Sequence, residues 1–158
     1  MPESPPLPLV RLARAADLDT LVAYNLLLAR ETEAKELDRS TLQAGVAALL
    51  ADPALGRYLV AELDHGVVGQ TMITYEWSDW RNGTIWWLQS VYVDRAYRGR
   101  GVFRELFAHV RRAAAAEPGV AGLRLYVEQE NLRAREVYQR LGLGPTGYLV
   151  MERIGQPA

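Results

Sequence analysis

The chain has no cysteine. That excludes disulfides, thiolate metal sites and a cysteine nucleophile. Histidine is scarce. His65 and His109 are far apart, and neither has a second ligand type at a metal-site spacing, so a metal centre is not expected. Charge of either sign is not in excess. The formal net charge is -1, which gives no broad field to attract nucleic acid or an anionic membrane. No apolar run is long enough to span a bilayer. The start, Met1-Pro-Glu-Ser-Pro-Pro, has neither the basic stretch nor the apolar run of a secretory signal. A cytoplasmic protein without nucleic-acid or membrane partners is the expectation.

What is present reads as ordinary globular sequence. At 158 residues the chain fits one core. The expectation is a single domain over 7–154, with 1–6 and 155–158 as flexible tails. Leu7 to Ala13 reads as a first strand. Asp17 has the right type for an N-cap, with Leu18, Leu21, Val22 and Leu28 at helical spacing behind it. Residues 39–51 read as a second helix, capped by Asp38 or Ser40 and ended by Asp52-Pro53. Arg57 to Leu63 and Val67 to Trp77 form a hairpin around Asp64-His65-Gly66. Asn82-Gly83 is the strongest local turn signal and leads to a strand over 84–93.

The second half alternates differently. A loop from Arg98 to Gly101 opens a helix over 102–116, whose apolar face is Val102, Phe103, Leu106, Phe107 and Val110. Pro118-Gly119 stops it. Leu123 to Val127 reads as a buried strand, 132–141 as a helix with Gly142 in a left-handed cap, and 147–154 as a last strand. The order is β-α-α-β-β-β-α-β-α-β, a mixed α/β sheet with helices on its faces.

Two segments carry chemistry. In Val91-Tyr92-Val93-Asp94-Arg95-Ala96-Tyr97-Arg98-Gly99-Arg100-Gly101-Val102 a strand runs through a short loop into a helix. Glycine lets backbone approach a ligand closely. The first helical turn offers unpaired N–H groups and the positive end of the dipole, which suits phosphate oxygens. Arg98, Arg100 and Arg104 add charge. The same string also fits a glycine-rich turn with solvated arginines. It is not a P-loop, which needs Gly-x-x-x-x-Gly-Lys-Ser/Thr, nor a dinucleotide fingerprint, whose third glycine is replaced by Arg104. In the second segment, Asn131 is a good N-cap, and Ala134 and Tyr138 follow on nearly one helical face. A core role for the tyrosine ring is the plain alternative.

Together the segments resemble the GCN5-related N-acetyltransferase family. Its Arg/Gln-x-x-Gly-x-Gly/Ala motif is met by Arg98, Gly99, Arg100, Gly101, Val102 and Phe103, with Phe103 departing from the small residue of the pattern. Its Asn-x-x-Ala-x-x-x-Tyr-x-x-Leu-Gly-Phe motif is met by Asn131, Ala134, Tyr138, Leu141 and Gly142, with Leu143 in place of Phe. The resemblance implies the acyl-CoA N-acyltransferase fold and transfer of an acetyl group from acetyl-CoA to a primary amine in a ternary complex. It also implies that pantetheine lies in the gap between the strands ending at Val93 and Val127, along Val91, Tyr92 and Val93. Backbone groups of Val91 and Val93 would pair with it, and an N–H near Val91 would stabilise the oxyanion. The amides of Gly99 to Arg104 would take the pyrophosphate, Asn131 the pantetheine arm, and Tyr138 would protonate the leaving sulfur.

A base is less determined: Glu76 through water is the first candidate and Glu128 the second, whereas Gln89 and Ser90 are weak bases. Glu31, Glu33, Glu36 and Asp38 crowd one connection, and Trp77, Trp80, Trp86 and Trp87 lie near the other edge; acid plus aromatic surface would suit a cationic small molecule or peptide amine. Charged helix ends and core tryptophans are the competing reading. Family habit admits a homodimer. The alternative function is a non-catalytic acyl-CoA-binding module.

Overall fold

The computed structural model describes residues 6–64 and 66–155. His65, at the centre of the expected hairpin turn, lies outside the described residues, as do 1–5 and 156–158 of the expected tails. The chain divides into two compact units, 1–126 and 127–158.

The first unit contains β1 (Leu9–Leu12), α1 (Leu18–Glu33), α2 (Arg39–Ala51), β2 (Arg57–Leu63), β3 (Gly66–Ser78), β4 (Gly83–Val93), α3 (Val102–Ala116) and β5 (Val120–Leu125). The sheet order is β1-β2-β3-β4-β5. The first four strands are antiparallel, and β5 runs parallel to β4. A parallel neighbour needs a crossover, which α3 provides.

Side-chain alternation assigns the two layers. Tyr58 and Val60 of β2 face Leu21 and Val22 of α1 and Val46 and Leu49 of α2 in one buried cluster. The opposite face takes α3, whose Val102, Leu106, Phe107, Val110 and Ala114 are buried. Gly69 marks how closely α3 approaches: a Cβ there would stand 2.7 Å from a Val102 methyl. Any side chain at this point would push the helix off the sheet.

Local chemistry explains most boundaries. Asp38, not Ser40, caps α2: its carboxylate accepts the Thr41 N–H at 2.8 Å, and Ser40 donates to it. Asp17 differs from expectation. Its side chain does not cap α1; it accepts from Arg11 at 2.8 and 3.0 Å and from the Arg14 N–H at 2.7 Å. The guanidinium outcompetes the helix amides for the carboxylate. The β5 strand begins three residues earlier than expected and ends two residues earlier, because pairing with β4 runs only from Thr84↔Val120 to Leu88↔Leu125.

The second unit holds one helix, α4 (Leu132–Arg140). Asn131 caps it by accepting the Ala134 N–H at 3.1 Å. Gly142, at φ 90°, ends it, with Leu143 N–H donating to the Tyr138 carbonyl at 3.0 Å. The expected last strand over 147–154 is not formed. A strand needs a neighbour to complete its ladder, and none lies within this unit. Tyr148, Leu149, Val150, Met151 and Ile154 are accordingly exposed.

Candidate active site

The end of β4 is irregular. Met72 pairs with Gln89 and Gln70 with Tyr92, so Thr71 alone opposes Ser90 and Val91. This is a β-bulge, and Ser90 adopts φ 50° in it. The left-handed region costs a non-glycine residue about 1 kcal/mol, so neighbouring groups must hold it there. Gln70 Nε2 donates to the Ser90 carbonyl at 3.1 Å, and Thr71 Oγ1 donates to the Gln89 carbonyl at 3.2 Å. Tyr58 reaches the Ser90 side chain and accepts from Asn25 at 3.2 Å.

The bulge has two consequences. Gln89 and Tyr92 lie on one face although they are three residues apart, since their partners Met72 and Gln70 share a face. Tyr92 therefore points at α1, with its ring 5.0 Å from Tyr24. The second concerns hydrogen bonding. The Asp94 N–H donates to the Val68 carbonyl at 2.8 Å, which marks that pair as the bonded one. By alternation, the N–H and C=O of Val93 point away from β3. On that side the pairing with β5 has already ended at Leu88. A forked opening with outward backbone groups results.

The fork leads into the glycine loop. A short 3-10 turn, Arg95–Tyr97, is capped by Asp94, which accepts the Ala96 N–H at 2.9 Å. Gly99 and Gly101 both have φ 79°. Gly101 is the N-cap of α3 and supplies no side-chain cap, and the first turn behind it is the anion-attracting end of the helix. The Arg104 guanidinium lies over Gly101, 3.2 Å from where a Cβ would be. The Arg100 guanidinium sits 5.2 Å from the Tyr97 ring centre. Phe103 turns its ring toward Phe107, 6.1 Å away, which explains how a large residue is accepted where the motif has a small one.

Arg98 behaves differently from the other arginines. Its Nη2 donates to Glu31 at 2.5 Å, its Nε donates to the Val93 carbonyl at 2.9 Å, and its guanidinium lies 5.3 Å from the Tyr92 ring centre. Glu31 also accepts from Tyr92 at 3.2 Å and Arg95 at 3.4 Å. The Arg98 hydrogen bond holds the Glu31 carboxyl below its ordinary range. Arg98 thus ties the loop to α1. Nothing in the local sequence joins Glu31 to Arg98 across 67 residues.

The remaining acids expected to form a cationic-substrate surface are engaged too. Glu36 pairs with Arg30 at 2.8 Å, Glu33 with Lys35 at 3.8 Å, and Asp38 caps α2, its carboxyl pulled down to about 2 by Thr41 and Ser40. The tryptophans separate. Trp86 is core, Trp77 and Trp80 are exposed, and Trp87 stacks on Tyr126 at 4.5 Å. Glu76 lies on the Trp87 side of the sheet and accepts from Arg124 Nη1 at 2.7 and 3.4 Å. Glu128 accepts the Glu130 N–H at 2.8 Å. Asn131 and Tyr138 stand seven residues apart along α4, about two turns. Burial pushes the Tyr138 phenol above its ordinary value.

Among the described residues no cluster of three metal-ligating side chains occurs, and no helix is long and apolar enough to cross a membrane.

Residues 21–143 match the model of the Acetyltransferase (GNAT) family, most of the chain. The chain belongs to that family and is an acyltransferase. The crystal structure of a possible acetyltransferase from Clostridium difficile 630 is 45% identical, with a TM-score of 0.88 over 96% of this chain and 100% of that one. The bovine (Bos taurus) thialysine N-epsilon-acetyltransferase is 34% identical over 76 residues, which are 48% of this chain and 44% of that protein; the match spans less than half of that relative. The fold is also that of AAC(6')-Iy, solved with the bisubstrate analog CoA-S-monomethyl-acetylneamine, at a TM-score of 0.74 and 18% identity over 94% of this chain and 99% of that one.

Proposed function

We propose that this acyltransferase moves the acetyl group of acetyl-CoA directly onto a primary amine. The observation that carries this reading is the fork: β4 loses its parallel partner at Leu88, turns its Val93 backbone groups outward, and runs straight into the glycine loop at the α3 N-terminus. An extended chain ending in a pyrophosphate matches that sequence of features. Pantetheine would pair as an added strand with Val91 and the Val93 N–H, since Arg98 already occupies the Val93 carbonyl. Tyr92 contributes backbone there, because its ring faces α1. The amides of Gly99 to Arg104, with Arg100 and Arg104, would take the phosphates.

In the reaction, the amine nitrogen attacks the thioester carbon and a tetrahedral oxyanion forms. The N–H near Val91 stabilises it. The C–S bond then breaks, the sulfur leaves as a thiol with a proton from Tyr138, and the proton shed by the acylated nitrogen returns through water to the Tyr138 phenolate. A phenol that stays protonated well above neutral pH is a standing donor to a forming thiolate, whose reference pKa is roughly 8.5. Asn131 caps α4 and holds the pantetheine arm. Glu76 accepts the ammonium proton through water, with Arg124 holding its carboxylate in place.

A chain with no cysteine forms no acyl-cysteine. The reading is direct transfer in a ternary complex. The acceptor is an amine of a small molecule or peptide. A lysine-like terminal amine is the first to try, given the name of the bovine relative. The test is a screen that follows CoA thiol release with acetyl-CoA and thialysine, lysine, polyamines, aminoglycosides and peptides. Amine-dependent thiol release supports the reading. Tight acetyl-CoA binding with no release across the panel would favour an acyl-CoA-binding module instead.

A further inference from the structure

We propose that Gln70 is a positioning residue for acyl transfer: its buried amide holds the β4 bulge that presents the oxyanion-stabilising N–H. This rests on the acetyl-transfer reading above. Gln70 is completely buried, and its Oε1 has no hydrogen-bond partner. A fully buried polar side chain with one end unsatisfied is unfavourable for stability, where an apolar residue of the same shape would not be. Its other end explains its presence. Nε2 donates to the carbonyl of Ser90, the one β4 residue in the left-handed region.

That carbonyl would otherwise belong to the ladder. In a regular β3–β4 pair, Ser90 and Val91 would each meet a partner on β3. Here Thr71 faces both. The Gln70 side chain replaces the missing backbone donor, so the bulge stands without an orphaned Ser90 carbonyl. Thr71 Oγ1 adds a second side-chain donor, to the Gln89 carbonyl one residue earlier. Two buried β3 side chains thus stabilise a distortion that begins where β4 leaves β5. Removing the clamp lets β4 relax toward regular pairing. Relaxation by one residue would move Tyr92 off α1 and re-aim the amides at the fork.

The test uses the full-length protein and [1-¹³C]acetyl-CoA. On binding to the native chain, the thioester carbonyl resonance should move downfield as the oxyanion donor polarises it. Gln70→Met keeps length and volume but removes the donor. It should bind acetyl-CoA within about threefold of native affinity, lose most of the downfield shift, and transfer acetyl at least about tenfold more slowly. Adding Ser90→Gly should restore part of both, because glycine adopts φ 50° without a clamp. Thr71→Val should move the resonance in the same direction by less, and serves where Gln70→Met does not fold. An unchanged carbonyl shift in Gln70→Met or Thr71→Val would overturn the proposal. So would a loss that Ser90→Gly leaves untouched. Failure of the native chain to bind acetyl-CoA would instead overturn the reading on which the proposal rests.

Discussion

Residues 9–125 and residues 127–155 are organised on different principles. The first stretch builds a five-stranded sheet with a helix layer on each face, and its loops are tied by side chains from distant elements. The second has no fully buried residue among those described, Tyr138 being half-buried; α4 is defined by its own caps, Asn131 and Gly142. Tertiary ties prearrange the candidate cofactor loop, whereas α4 is held in shape by local hydrogen bonds. In the proposed mechanism the first stretch carries cofactor affinity and the second carries the proton for the leaving group. Substitutions in the two should therefore separate binding from rate.

The largest effect is expected at the loop. Gly101→Glu brings a side chain against Arg104 and a negative charge to the α3 N-terminus. Acetyl-CoA affinity should fall by about a hundredfold, equivalent to about 3 kcal/mol. Gly119→Glu is the control. It has the same left-handed strain at φ 84°, but open space around its Cβ. Equal affinities, measured by calorimetry, would make the loop an ordinary turn.

Tyr138→Phe should do the reverse. Affinity and melting temperature should hold, while single-turnover acetyl transfer slows by about ten- to a thousandfold, within or just below the usual worth of general acid catalysis. The native rate should persist through the ordinary tyrosine range as pH rises, because the phenol is raised and stays protonated. An unchanged rate in the variant would return Tyr138 to a packing role.

A smaller effect sharpens the idea of a tied loop. Arg98→Gln and Glu31→Gln should each weaken acetyl-CoA binding by roughly three- to tenfold, and the double variant should be no worse than Arg98→Gln alone. Additive losses would mean that Arg98 contacts the phosphates itself. Smaller still is a stability change at Tyr24, whose hydroxyl donates to the Val67 carbonyl at 2.6 Å. Burial, and then Asp94, push that phenol up to about 12. Its folded value lies above its unfolded value, so its contribution is complete below pH about 10 and is lost as pH rises toward 12. Urea denaturation across that interval should show a steeper decline for the native chain than for Tyr24→Phe.

Most of the element order was legible in the sequence, and the reasons are local. The sequence predicts 39–51, 57–63 and 102–116 with the observed bounds, because caps, alternation and breakers agree there. The two motifs also announced the glycine loop and the α4 cap. What escaped was set by distant partners. The Asp17 carboxylate goes to Arg11 rather than to a helix, a choice between two nearby donors that residue type does not reveal. The strand expected at 147–154 has the right composition but no neighbour in its own unit. The bulge at Ser90 carries no glycine to advertise it, and its supports, Gln70 and Thr71, lie on another strand. Two adjacent polar residues, Gln70 and Thr71, inside the apolar stretch Val67 to Ile73 are the available signal. The charge of Glu31 is plain in the sequence, but its pairing with Arg98 is fixed only by the fold.

The most direct test of the central claim is calorimetric titration of the full chain with acetyl-CoA, set beside titration with acetyl-pantetheine, which lacks the pyrophosphate. The account predicts one site per chain for acetyl-CoA, and binding of acetyl-pantetheine weaker by about a hundredfold or more, as loss of the charged contacts to the loop requires. No heat at millimolar acetyl-CoA, or equal affinity for the two compounds, would contradict it.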